Sequence, residues 1–314
     1  MRIGMVLTPL NEHNLTLAAQ IGVTDVVARF PGESLAEVRA CREKIAAFGL
    51  KMSVIEGYLP MELAVRGAEG RDEQIGRIQT LIRSMAAEGV ETLCYNFMHK
   101  LDWTRTSHGV KVRGGALVTS FDLSAMPEEP VSLPENYSVE QWWENLEYFL
   151  RRVLPVAEEV GVKLAIHPDD PPGMATLHGY PRIMGKTENF ERLVNLVPSP
   201  SNGIAFCQGC FSEMGIDVPA TIRRLGKHIF YVHFRDVVGC SPKFNETFHD
   251  CGQTNMPEAM RAYRDIGFTG VMRPDHVPLL HGETGENSGY SMQGRLFAVG
   301  FMRGLIQAVQ SEKV

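Results

Sequence analysis

The chain predicts an α/β protein of the (β/α)8 class, a TIM barrel with a long loop and hairpin after its fourth strand. Three observations predict it. Short apolar runs alternate with amphipathic stretches from one end to the other. Most of those runs are continuous rather than alternating, which suits parallel strands covered on both faces. Eight such runs occur with no change of compositional regime, so residues 1–314 read as a single catalytic domain. A doubly wound sheet is the competing architecture. It usually carries a glycine-rich G-x-G-x-x-G turn after its first strand, and "VLTPLNEHN" has none.

Taken in order, the strands are "RIGMVL" (2–7), "DVVARF" (25–30), "KMSVIEG" (51–57), "TLCYNF" (92–97), "KLAIHP" (163–168), "GIAFC" (203–207), "IFYVHFR" (229–235) and "GVMRPD" (270–275). Helices fill the gaps. Within 34–49, Leu35, Val38, Cys41, Ile45 and Phe48 recur at helical spacing, as do Ile75, Ile78, Ile82 and Met85 within 71–88. Within 138–160 the stripe is Leu146, Phe149, Leu150, Val153 and Ala157, and Ser138 followed by Glu140 and Gln141 is a good helix start. Gly22, Gly89, Gly161 and Gly267 each stand between a helix and the next strand, where a glycine C-cap is expected. The connection 98–137 is long. Inside it "VKVRGGALVTSF" reads as a β-hairpin turning on Gly114–Gly115, and a loop of this length in a compact barrel serves as a lid or as part of the binding site.

Composition narrows the function. The 314 residues are 44% hydrophobic and 22% charged, with 31 basic against 37 acidic side chains and a formal net charge of -6, which argues against a nucleic-acid partner. The first residues read as a strand rather than a signal peptide, and no apolar run is long enough to span a bilayer. The expectation is a cytoplasmic protein without a membrane partner; association into a homo-oligomer is left open. Six cysteines scattered without a secretory signal do not form a disulfide framework. Cys207 and Cys210 make one C-x-x-C, but a zinc ribbon needs a second pair.

In this fold reactive groups come from the C-terminal ends of the strands. Those ends carry Glu56, Asn96, His167, Cys207, His233 and Asp275 from strands three to eight. Each of the last four alone has an ordinary structural explanation: a hydrogen-bonded core histidine, a core thiol, a turn-capping acid. Together they place imidazole, thiolate, imidazole and carboxylate on consecutive strand ends, and all are ligands for a first-row divalent ion such as zinc, iron, cobalt or manganese. Arg235 and Arg273 stand near them, which points to an anionic substrate because guanidinium forks match carboxylates; salt bridges to Asp169, Asp170 or Asp236 are the structural alternative. Tyr290 opens the last helix and is placed to move a proton.

The same stretches carry a resemblance. "TLCYNFMHKLDWTRT" (92–106), "PVAEEVGVKLAIHPDDPP" (155–172), "GYPRI" (179–183), "FCQG" (206–209), "YVHFRDV" (231–237), "ETFHD" (246–250), "MRPDH" (272–276) and "GYSMQGRL" (289–296) resemble the mannonate dehydratases and span most of the chain from residue 90 onward. The resemblance implies a TIM barrel. It also implies a lyase that removes water from D-mannonate to give 2-dehydro-3-deoxy-D-gluconate, with a divalent metal, typically Mn2+ (Fe2+ or another first-row ion being the alternatives). It puts the ligands on His167, Cys207, His233 and Asp275 and proton handling on Tyr290 beside Asp275, and it makes Cys210 a non-ligand. Glu56, Asn96, Arg235 and Arg273 are the expected substrate contacts. There are departures. Arg29–Phe30 stand where members often have paired histidines, a family histidine is replaced near Met61, and a helical segment before Ser138 is short. They bear on substrate identity and rate rather than fold. The competing readings are a dehydratase, isomerase or epimerase for another acid sugar, and a non-catalytic sugar-acid binding homologue.

Overall fold

The computed structural model describes residues 1–57, 59–100, 103–126, 137–284 and 289–312. The strands are β1 (Arg2–Val6), β2 (Asp25–Ala28), β3 (Lys51–Glu56), β4 (Thr92–Tyr95), β5 (Ser107–Lys111), β6 (Leu117–Asp122), β7 (Lys163–Ile166), β8 (Thr176–Leu177), β9 (Tyr180–Pro181), β10 (Asn202–Cys207), β11 (Ile229–Phe234), β12 (Val237–Cys240), β13 (Lys243–Glu246) and β14 (Val271–Pro274). Among the described residues, eight of them close into a barrel in the order β1-β14-β11-β10-β7-β4-β3-β2, each parallel to its neighbours. The helices that return the chain between these strands are α1 (Glu12–Gln20), α2 (Leu35–Ala46), α3 (Glu62–Arg66), α4 (Arg71–Ala87), α5 (Val139–Val160), α6 (Thr187–Leu196), α7 (Gln208–Glu213), α8 (Val218–Leu225) and α9 (Met256–Asp265), with α10 (Met292–Ser311) closing the ring after β14. No helix among the described residues is long and apolar enough to cross a membrane.

Local signals set the helix ends. Ser34 and Glu37 form a reciprocal capping box on α2, and Ser138 accepts the Gln141 N–H at 3.1 Å at the start of α5. α5 ends at Gly161 with φ 76°, a left-handed conformation that glycine adopts without steric cost. Its apolar stripe is fully used: Leu146, Phe149, Leu150, Val153 and Ala157 are all buried, the larger ones contributing roughly 1.5–3 kcal/mol each.

The pleat of the barrel strands positions the site. Outward residues such as Met5, Val26, Ile55, Leu93, Leu164, Ile204, Val232 and Met272 pack under the helices. Inward, each strand gives one residue to a central cluster: Val6, Val27, Val54, Cys94, Ala165, Ala205, Tyr231 and Val271. Side chains alternate with period two, so the residue two further on faces the same interior, one layer nearer the C-terminal mouth. From β2 round to β14 those residues are Arg29, Glu56, Asn96, His167, Cys207, His233 and Arg273.

Two hairpins wall one side of the mouth. The connection after β4 forms β5 and β6 around Arg113–Gly115, as expected from Gly114–Gly115. The connection after β11 forms β12 and β13. The two join into one antiparallel sheet, β12-β13-β6-β5, with Phe244 opposite Phe121. The hairpin is thus stitched to the loop that follows β11, a strand three places round the barrel from β4. Residues 101, 102 and 127–136 of the expected lid segment lie outside the described residues.

Candidate active site

The strand ends bring four of the expected residues together. One ligand atom from each of His167, Cys207, His233 and Asp275 lies within 4.8 Å of the others. His167 Nε2 is 3.0 Å from His233 Nδ1, and Asp275 Oδ2 is 3.6 Å from both Cys207 Sγ and His233 Nδ1.

Their remaining atoms are committed outward. His167 Nδ1 is 2.7 Å from the Pro168 carbonyl, and His233 Nε2 is 3.0 Å from Glu56 Oε2. A carbonyl and a carboxylate only accept, so both of those nitrogens carry the hydrogen. Each imidazole therefore turns its other nitrogen, and its lone pair, toward the shared centre. Cys207 is held well below the usual thiol range: burial opposes this, but the Cys210 thiol, the Arg235 guanidinium and His167 outweigh it. Cys210 is pushed well up by burial and by Cys207 and keeps its proton. Burial also opposes the charges on Asp275 and Glu56, yet Arg273 beside each holds both well below the carboxylate range. Two converging lone pairs, a thiolate and a carboxylate are a donor set for a divalent first-row cation, with outer partners of the kind that orient metal ligands.

Asp275 is the hinge of the site. Oδ2 faces the donors and accepts from Arg235 Nε at 3.0 Å; Oδ1 accepts from Arg273 Nη1 at 2.7 Å and from the Tyr290 hydroxyl at 3.2 Å. Burial first, then the charge of Asp275, raises the Tyr290 phenol above its ordinary value, so it is protonated near neutral pH. Behind Asp275 stands a buried ion network. Arg235 donates to Asp170 (2.8 Å), Glu213 (2.6 Å) and Glu246 (3.1 Å), and Arg105 donates to Asp170 and Glu246 at 2.5 Å each. Asp170 thus orients two arginines. Asp169 instead accepts the Met184 N–H at 2.7 Å.

The expected substrate contacts fall into two groups. Arg235 and Arg273 have side chains 0% and 1% exposed, and their hydrogen bonds run to protein carboxylates, the Cys210 sulfur, the Tyr231 hydroxyl, His233 Nδ1 and a carbonyl. They hold Asp275 and Glu56, and for Arg235 the salt-bridge alternative with Asp170 is what the structure contains. Glu56 is likewise enclosed, accepting from Tyr231, His233, Arg273 and Arg29. Asn96 is different: it is half-buried and lines a cavity of about 200 Å³ with Gly57, Met61, Glu62 and His99.

Two residues at the mouth were not singled out as site residues from sequence. Arg29 reaches Glu56 Oε1 at 3.0 Å and passes 5.5 Å from the centre of the Tyr290 ring. Its signal was available, because it follows Val27 by two positions as the other inward residues follow theirs. His276 has Nδ1 2.8 Å from Glu246 Oε1 and Nε2 3.7 Å from Asp275 Oδ1. Only its place next to Asp275 could have marked it.

Comparison with known proteins gives the family of the chain. A model of the D-mannonate dehydratase (UxuA) family matches residues 11–136 and 130–314. A mannonate dehydratase of Streptococcus agalactiae serotype Ia is 37% identical over 301 residues, covering 87% of this chain and 86% of its own. The crystal structure of mannonate dehydratase from Streptococcus suis serotype 2 superposes with a TM-score of 0.92 at 32% identity, covering 99% of this chain and 93% of that one. A D-tagatose 3-epimerase-like protein, at 14% identity and a TM-score of 0.66 over 99% of this chain and 98% of its own, shares the fold alone. With the family matched along nearly its whole length, this chain belongs to the D-mannonate dehydratases.

Proposed function

We propose that the protein is a hydro-lyase that removes water from D-mannonate and releases 2-dehydro-3-deoxy-D-gluconate, with a divalent ion held by His167, Cys207, His233 and Asp275. The observation that carries the reading is the double engagement of Asp275, which faces the donor set with one oxygen and the Tyr290 hydroxyl with the other. Mn2+ is the ion we assign, with Fe2+ the next choice. When bound, such an ion supplies Lewis-acid polarisation of substrate oxygens. A small anionic sugar acid as partner and a cytoplasmic setting go with this reading.

The reaction breaks the C2–H and C3–O bonds of the aldonate, forms a C2=C3 enol and releases the C3 hydroxyl as water; the enol then becomes the 2-keto acid. Tyr290, whose phenol is buried and protonated, is the acid for the departing hydroxyl. Asp275 aims that phenol. His276, with Nδ1 tied to Glu246, leaves Nε2 on the Asp275 and Tyr290 side and is the nitrogen we assign to the C2 proton. Trp103, whose ring centre is 4.8 Å from that of His276, covers the imidazole.

The test is turnover of D-mannonate and its epimeric aldonates by the manganese-loaded protein, with keto acid measured. Keto acid from D-mannonate is expected, and none from any aldonate would sink the reading. Tyr290→Phe should retain the metal and lose at least about a hundredfold in kcat, the usual scale of a general acid; unchanged kcat would remove Tyr290 from the chemistry.

A further inference from the structure

The C-x-x-C of Cys207 and Cys210 is only half used by the chemistry above. Cys207 belongs to the donor set, and Cys210 does not. Cys210 is fully buried, and its sulfur accepts from Arg235 Nη2 at 3.3 Å. It lies with Asp170 and Glu213 in a group whose ligand atoms are within 4.8 Å of one another. That group is not a second ion site, because Arg235 and Arg105 already pair with its carboxylates. A serine would accept from Arg235 equally well. What a sulfur adds at this position is redox chemistry.

The fold sets the two sulfurs against each other. Cys207 ends β10 and is the N-cap of α7, and Cys210 is the third residue of that helix. An N-cap side chain and the one three residues on meet over the first turn, the geometry that capping boxes use. Residues so spaced have Cβ atoms about 5–6 Å apart, and a disulfide closes at about 4 Å. The two thiols act directly on each other's proton affinity. Arg235 braces both: Nη2 donates to Cys210, and Nε donates to the Asp275 oxygen that lies 3.6 Å from Cys207 Sγ. A small reagent reaches Cys207 from the donor centre, where His167 beside it is half-buried rather than enclosed.

We propose that Cys207 and Cys210 are an oxidation site: hydrogen peroxide closes them into a disulfide, which withdraws the Cys207 sulfur from the donor set and frees the ion. This rests on the donor-set reading above. Peroxide is the only oxidant the step needs. The Cys207 sulfur takes one peroxide oxygen as the O–O bond breaks, giving a sulfenic acid and one water. The Cys210 sulfur then attacks the Cys207 sulfur, and the oxygen leaves as a second water. Two thiols lose two electrons and two protons, and the peroxide is reduced to two waters. A thiol reductant reverses the closure by exchange.

The manganese-loaded protein is treated with hydrogen peroxide, and free thiols are then alkylated. Disulfides are mapped by peptide mass, manganese affinity is measured by titration, and both are repeated after dithiothreitol. The expected result is a Cys207–Cys210 disulfide and a fall of at least about a hundredfold in manganese affinity, since outer partners of metal ligands alone are worth about 10- to 100-fold. Reduction should restore the affinity. Cys240, which is exposed, reports that the oxidant has acted. If both thiols and the manganese survive after Cys240 is oxidised, the inference is overturned. Manganese loss without that disulfide overturns it too, because the damage then lies elsewhere, and so does a disulfide that leaves manganese bound. Cys210→Ser and Cys210→Ala remove the second sulfur. In them Cys207 should run on to sulfinic acid, a loss that dithiothreitol does not reverse. Manganese loss as reversible in these variants as in their parent would again overturn it. The disulfide in a protein that never binds manganese would keep the thiol pair and remove the metal reading.

Discussion

On the β7, β10, β11 and β14 side of the mouth, His167, His233 and Asp275 have their outer nitrogens and oxygens tied to other protein groups. On the β2, β3 and β4 side, Arg29 and Asn96 are half-buried, and Asn96 lines a cavity of about 200 Å³ with Gly57 and Met61. Glu56 joins the two, with Arg29 on one side and His233 on the other. The contrast separates two tasks. A metal and a proton acid need side chains held to a fraction of an ångström, which takes partners for every outer atom. Recognition of a flexible polyol acid needs reachable groups, which cannot be sealed. Of the departures that the sequence resemblance implies, Arg29–Phe30 and Met61 lie on the open side, and the donor set lies on the closed side.

The strongest way to break the comparison is to remove a member of the closed side that no substrate could touch. Arg235→Met leaves Asp170, Glu213 and Glu246 with one guanidinium fewer in a buried setting. It should cost about 3–5 kcal/mol of stability, the scale for breaking a buried pair. Asn96→Ala on the open side should cost less than about 1 kcal/mol. Urea denaturation of both variants checks this. Equal losses would erase the distinction.

The closed side was largely legible in the sequence, and the reason is geometric. His167, Cys207, His233 and Asp275 sit on or just beyond their own strands, so strand periodicity alone brings them together. The role of Arg235 was not legible, because its partners Asp170, Glu213 and Glu246 arrive from three separate connections. The β12–β13 hairpin was missed for a related reason. "VVGC" and "KFNE" are only four residues each, and they become strands by pairing with each other and, for β13, with β6, from a distant part of the chain. Arg29 was legible by counting from Val27, yet it drew notice only as a departure from the family pattern.

A second test asks how far the closed side excludes charge. His249 is fully buried behind β11, and neither ring nitrogen has a hydrogen-bond partner by strict geometry. Burial, against a weaker opposing pull from the Phe234 backbone and from Asp275, lowers its pKa from 6.5 to about 4. The unfolded chain then binds a proton below about pH 6.5 that the folded chain refuses until about pH 4. Stability from this group is complete above pH 6.5 and lost as pH falls toward 4, about 2–3 kcal/mol by pH 4.5. His249→Phe should remove that slope. Urea midpoints at pH 7 and 4.5 for the two proteins decide it, and parallel slopes would show that the imidazole is solvated or paired in the folded state.

The finest test is at the joint between the two sides. Glu56 accepts the His233 Nε2–H and thereby fixes which nitrogen His233 turns to the donor centre. It carries a full charge because Arg273 and His233 outweigh its burial. Glu56→Gln keeps the shape and an accepting oxygen but removes the charge, and its amide can also rotate to face His233 with a donor. Manganese affinity should fall about 10- to 100-fold, the range for outer partners of metal ligands. Asn96→Ala, on the open side of the same mouth, should leave it within about twofold. Metal titration of both variants measures the ratio. If the Asn96 variant loses as much as the Glu56 variant, the open side helps to hold the ion and the division between holding and recognising fails. If only Glu56→Gln loses affinity, the boundary between the two tasks runs through a single carboxylate, with His233 on one face and Arg29 on the other.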